Sequence, residues 1–246
     1  MKKYFFLLIA VATLPYVSSC QITKGLGKRI PTSIPGTSSS TNNTGLSNSD
    51  IVAGLKEALQ VGTNNGTQKV SQVDGYFANP LIKILMPPDV KMVEDKLRDV
   101  GLGSYVDQAV LSMNRAAEQA GKEAAPIFID AIKGMTITDA VGILKGPDDA
   151  ATQYLKANTS AQLTTKFTPV IKKALDQTQA TKYWKQVFDT YNQLPFVQHV
   201  NSDLTGYVTQ KALDGLFVTV AQEELKIRKD PVAQVTDILK RVFGHK

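Results

Sequence analysis

Seven polar residues fall inside segments that otherwise read as apolar helix: Asn114, Arg115, Glu118, Asp139, Glu223, Glu224 and Arg228. If the helices bring them together, two close carboxylates among them could serve as general acid and base. The spacing also has plainer readings. Glu118 can pair with Arg115 at i−3 or with Lys122 at i+4, and Glu224 with Arg228 at i+4. Solvated helix faces with structural ion pairs, or a buried cluster that sets helix register, would use the same residues. Other chemistry has little to draw on. His199 and His245 are far apart and no Cys pair exists, so no metal site is expected. Gly146-Pro147-Asp148-Asp149 suits a helix start better than a calcium loop. No G-x-S-x-G elbow is present. Gly25-Leu26-Gly27-Lys28 lacks the spacing and the following Ser or Thr of a phosphate loop. No cofactor is expected.

The remaining chemically distinctive residue is Cys20, the single cysteine of the chain. Lys2 and Lys3, an apolar run from Tyr4 to Val17, and then Ser18-Ser19 lead up to it. This is the layout of a secretory signal, too short to span a bilayer. Its ending resembles the bacterial lipobox, which implies that residues 1–19 are removed and that Cys20 is acylated. A lipid thioether would also dispose of a free thiol in an oxidising compartment. Gln21 in place of Asp after that Cys implies, by the sorting rule of enteric lipoproteins, an outer-membrane destination.

Residues 21–46 are rich in Gly, Ser, Thr, Pro and Asn, a linker composition. About 26 flexible residues have an end-to-end distance of roughly 28 Å. Without Lys2 and Lys3 the chain carries 26 basic against 22 acidic residues, near +4. The excess is scattered, with no basic stripe for nucleic acid, so no nucleic-acid partner is expected.

From Ser47 to the end the periodicity predicts one all-α domain of about eight to ten helices, a multi-helix bundle. Ser47 or Ser49 caps a helix with Ile51, Val52, Leu55 and Leu59, with Gly62 as its stop and Asn64-Asn65-Gly66 as a turn. Ile82 to Met86 reads as a short strand or a buried loop. Val90, Val93, Leu97 and Val100 mark a helix ending at Gly101. Val106, Ala109, Val110, Met113, Ala117, Ala120 and Ala124 form the clearest stripe, its alanines suited to close helix contact. On that wheel Asn114 borders the apolar face and Arg115 points away. Pro126 kinks or restarts the helix. Thr136 with Asp139, and Thr159 with Gln162, have capping-box spacing, and Pro169 is a second kink or restart. Pro147, Asp148 and Asp149 suit a first turn. Trp184, Val187, Phe188 and Tyr191 define a further helix, and Leu204 to Arg228 one long helix, apolar on nearly all sides from Ala212 to Ala221. Asp230-Pro231 opens a last helix with Val235, Ile238, Leu239 and Val242.

Several of these stretches are similar to one family. Asp50-Ile51-Val52-Ala53-Gly54-Leu55-Lys56-Glu57-Ala58-Leu59 resembles the opening motif of a bacterial envelope family known as domain of unknown function 4197, and Ser112-Met113-Asn114-Arg115-Ala116-Ala117-Glu118 its central signature. Asp139-Ala140, Ile143-Leu144-Lys145-Gly146 and Ala150-Ala151-Thr152-Gln153-Tyr154 resemble the next block, and Leu213-Asp214-Gly215-Leu216-Phe217, Glu223-Glu224, Ile227-Arg228 and Asp230-Pro231 the last. The resemblance runs from about 47 to 244. It implies an exported, mostly helical protein and carries no catalytic residue.

The expectation is a membrane-tethered envelope protein, anchored through Cys20, whose domain binds a protein or another envelope component without catalysis. Two alternatives stand beside it. One is an enzyme using Glu118, Asp139 or Glu223 as acid or base. The other is a carrier of an apolar ligand between helices, which requires a lined cavity of about 300 Å³ or more.

Overall fold

The computed structural model describes residues 47–193, 199, 201–230, 233, 234, 236, 237, 240 and 242. Cys20, its signal and the linker lie outside them, as do Val235, Ile238 and Leu239 of the expected last helix. The described residues run through α1 (Asn48–Ser71), a 3-10 turn (Pro88–Val90), α2 (Lys91–Asp99), α3 (Gly103–Gly121), α4 (Ala124–Gly134), α5 (Ile137–Lys145), α6 (Ala150–Gln177), α7 (Ala180–Tyr191) and α8 (Leu204–Lys229). No strand occurs among them, so the chain is all-α. None of these helices is long and apolar enough to cross a membrane.

Helices α1, α3, α6 and α8 make the centre. Helix α4 packs on α1 and α6, α5 on α1 and α6, α7 on α6 and α8, and α2 on α3. Met113, Ala116, Ala117 and Ala120 of α3 are all but completely buried, so the alanine stripe does bring helices close. The middle of α8 is buried on most of its circumference, through Leu213, Leu216, Phe217 and Val220. Phe217 meets the Phe128 ring of α4 edge-on, with centroids 5.9 Å apart.

Several helix boundaries differ from those expected because local stop signals were overridden by packing. Helix α1 does not stop at Gly62 or turn at Asn64-Asn65-Gly66. It opens with a capping box between Ser47 and Asp50 and continues to Ser71. Gly62 and Gly66 face α8, where a Cβ would lie 3.4 Å from the Ile227 Cδ1 and 3.2 Å from the Val220 Cγ2. They let two backbones approach, at the modest propensity cost of glycine in a helix. Thr63 and Thr67 sit on the same buried face, each hydroxyl donating to the carbonyl four residues back at 2.7 and 2.8 Å.

The same device explains Thr159. It caps nothing. It is buried within α6 and its hydroxyl donates to the Leu155 carbonyl at 2.6 Å. Pro169 also lies inside α6 without ending it, because Phe167, Ile171, Ala174 and Leu175 are buried on either side of the lost hydrogen bond. Pro147, Asp148 and Asp149 precede α6 instead of forming its first turn. The Thr136–Asp139 box and the end of α5 at Gly146 are as expected, and Pro126 falls in the first turn of α4, after a break at residues 122 and 123.

Candidate functional site

Residues 72–87 connect α1 to the 3-10 turn without regular structure, and several side chains hold them. Tyr76 is fully buried and its hydroxyl donates to the Ala212 carbonyl of α8 at 2.6 Å. Glu118 Oε1 accepts from the backbone N–H groups of Tyr76 and Phe77, both at 3.2 Å. Asn114 accepts from the Ile84 N–H at 2.9 Å and donates to the Ile84 carbonyl at 2.8 Å. Ile82 to Met86 is thus a loop, with Ile82 and Ile84 buried and Leu85 exposed, and Asn114 supplies the two hydrogen bonds a neighbouring strand would. Arg115, expected to point away, is one-third exposed and bridges Glu118 at 2.6 Å to Asp74 at 2.7 Å. Those two carboxylates hold its guanidinium above the usual arginine range. Burial, with Glu118 and Asp214 nearby, pushes the Tyr76 phenol far above the usual tyrosine range.

Glu224 and Arg228 form a separate station. No side chain of α6 itself caps that helix. Glu224 reaches across from α8 to accept from the N–H groups of Ala151 at 3.0 Å and Thr152 at 2.8 Å, and from the Thr152 hydroxyl at 2.8 Å. A carboxylate there complements the positive end of the helix. Arg228 donates to Glu224 through Nε at 3.0 Å and a terminal nitrogen at 2.8 Å, and to the Ile143 carbonyl near the end of α5 at 3.0 Å. One ion pair therefore closes two helix ends. The gap beside it holds about 20 Å³, room for about one water.

Glu223 points the other way, to Asn65 at 3.3 Å and to Lys69 of α1. Asp139 is exposed in its capping box, where the Thr136 hydroxyl and N–H hold its carboxyl below the usual range. The seven candidates thus fall into separate groups: Asn114, Arg115 and Glu118 on the loop, Glu224 with Arg228 at two helix ends, Glu223 with α1, and Asp139 alone. Glu118 and Glu224 each have both oxygens engaged, and Glu118 lines no cavity described. Among the described residues no three His, Cys, Asp or Glu side chains are grouped to hold a metal.

A different feature stands out as a binding site. A groove of about 620 Å³ runs between α2, α3 and α7. Val90, Val93 and Leu97 line one side, Val106, Ala109 and Met113 another, and Trp184, Phe188 and Leu204 a third. The Trp184 and Phe188 rings tilt together with centroids 4.5 Å apart. Its polar liners are few: Glu94, Gln108, Ser112 and Thr178. The sequence periodicity marks these apolar stripes as helices and gives no sign of a groove between them. The signal for something else was the surplus, since Met92, Val100, Leu102, Tyr105 and Leu111 of the same stretch stay exposed.

No curated protein and no solved structure matches the chain. Residues 45–244 match the model of a family described as "Protein of unknown function (DUF4197)", and the chain belongs to that family.

Proposed function

We propose that this chain is a lipid-tethered protein of a bacterial envelope, in the outer membrane, whose helical domain binds an apolar ligand without catalysis. The observation that carries the reading is the groove between α2, α3 and α7. Its volume of about 620 Å³ lies within the range of small-molecule sites, and its lining is apolar with few polar groups, as such sites are built. The tether rests on Lys2, Lys3, the apolar run and Val17-Ser18-Ser19-Cys20. An acid–base enzyme would need a carboxylate able to face a substrate. Glu118 and Glu223 are instead committed to backbone amides, Arg115, Asn65 and Lys69, so binding is the better supported reading.

The test uses the double variant Ala109→Phe/Ser112→Phe. Both residues are half-buried groove liners on α3, so the new rings fill the groove without entering the core. The wild-type chain should enhance the fluorescence of 1-anilinonaphthalene-8-sulfonate, and the variant, with an unchanged circular dichroism spectrum, should not. Equal enhancement by a folded variant would overturn the assignment of the groove.

A further inference from the structure

We infer that the groove takes a single acyl chain of a membrane phospholipid, admitted by movement of α2. The inference rests on the binding reading above and on the anchor at Cys20, and it concerns what occupies the groove.

Three observations converge. The first is where the chain outside the described residues ends. Residues 21–46 lead to Cys20, whose acylation would place its end in a bilayer, so the most abundant apolar molecule within reach is bilayer lipid. The reach suffices. Helices α1 and α8 run antiparallel, Gly62 against Ile227 and Gly66 against Val220. Leu204 of the groove therefore lies at the opposite end of the domain from Ser47, on the order of 50 Å away at 1.5 Å per residue. A 26-residue linker extends to at most about 90 Å, so the tethered domain can turn its groove to the membrane.

The second is the rim. Met92, Val100 and Leu102 are exposed on α2 and in the turn that joins it to α3, close in sequence to the groove liners Val93 and Leu97, and Tyr105, itself a liner, is exposed too. An apolar rim with a tyrosine is the composition that settles at a lipid interface.

The third is the construction of α2 as a cover. No side chain of α2 is buried, although Val93 and Leu97 line the groove. It packs on α3 and the 3-10 turn. Pro87-Pro88 precedes it, and Gly101, with φ +81°, follows it with open space where a Cβ would be. An element with little burial between two such joints belongs to the least stable part of a fold. Its displacement opens the side of the groove without disturbing Met113, Trp184 or Phe188.

Trp184 is the only tryptophan of the chain and lines the groove, which supplies the readout. The Cys20→Ser chain is mixed with vesicles of phosphatidylethanolamine and phosphatidylglycerol carrying dibrominated acyl chains, and the vesicles are then removed by centrifugation. Trp184 emission should be quenched, the loss should persist in the supernatant, and native mass spectrometry should show one phospholipid per protein. Ala109→Phe/Ser112→Phe should abolish all three. Quenching that disappears with the vesicles, or that survives in the folded variant, would overturn the inference in favour of surface contact alone. No quenching with the dye still bound would overturn the acyl-chain assignment while the binding reading stands. Loss of dye binding as well would remove both. A dimer by sedimentation that buries the groove, with no lipid taken up, would assign the groove to a second copy.

Discussion

Replacing Arg228 by leucine keeps most of its volume but leaves the Glu224 carboxylate buried without its cation. Both side chains are about 95 % buried, and breaking such a pair from one side costs roughly 3–5 kcal/mol. Arg228→Leu should therefore lower the urea midpoint far more than Lys172→Ala, whose partner Asp176 is solvent-exposed and whose loss should stay within about 1 kcal/mol. Equal effects would mean that the ion pair does not hold the ends of α5 and α6. Tyr76 gives a test with a pH signature. Its folded phenol titrates far above the usual range because it is buried, so the neutral form is favoured by the fold. That contribution is complete below the ordinary phenol value and is lost as pH rises above it, when the unfolded chain ionises first. Tyr76→Phe should cost about 1 kcal/mol at neutral pH through the bond to the Ala212 carbonyl, and should flatten the alkaline fall in stability. At this scale the sequence was partly legible: the i−3 pair Arg115–Glu118 and the i+4 pair Glu224–Arg228 could be read from spacing. The partners from elsewhere, Asp74, Lys69, Asn65 and the amides of Ala151 and Thr152, could not, because helix periodicity says which face a residue occupies and nothing of what arrives opposite.

Helix boundaries with a reciprocal cap were legible for the same local reason. Ser47 with Asp50 and Thr136 with Asp139 declare their ends within four residues. Gly62, Asn64-Asn65-Gly66, Thr159 and Pro169 misled because propensity is a small term that close packing outweighs. Glycine substitutions separate the two effects. Gly215 of α8 faces Tyr76, where a Cβ would come within 2.6 Å of Cε1 and 3.1 Å of the Ile82 Cβ. The ring is fixed by burial and by its hydroxyl bond, so Gly215→Ala should destabilise by roughly 1–3 kcal/mol. Gly142 of α5 has open space at the same distance, and Gly142→Ala should stabilise by about 0.5–1 kcal/mol. Thermal midpoints moving in opposite directions would establish that Gly215 is a spacer. Midpoints moving together would make propensity the common cause. The groove was illegible at this scale. The stripes Val90-Val93-Leu97 and Trp184-Phe188 each resemble half of a core contact, and only the placement of α2 and α7 about α3 shows that they do not meet.

For the molecule as a whole, the proposed anchor and the proposed groove make different demands on a membrane, and the difference can be measured. A groove that withdraws one acyl chain binds lipid without fastening the protein to the bilayer, since the lipid leaves with it. Even a single chain inserted in a bilayer gives only marginal, reversible attachment, with an association constant of about 10⁴ M⁻¹. On the proposed reading durable attachment would come from Cys20, through more than one chain. The Cys20→Ser chain should appear in the soluble fraction of cells and carry no covalent lipid, and the Ala109→Phe/Ser112→Phe chain should remain in the membrane fraction with its lipid label intact. Cleavage within residues 21–46 should release a domain that still quenches with brominated phospholipid, because the residues that line the groove all lie beyond the cut. If Cys20→Ser instead left the protein in the membrane fraction, the groove and its apolar rim would be the attachment. The linker would then have no tethering role, and α2 with Met92, Val100, Leu102 and Tyr105 would have to be reinterpreted as a membrane-seated surface instead of a cover.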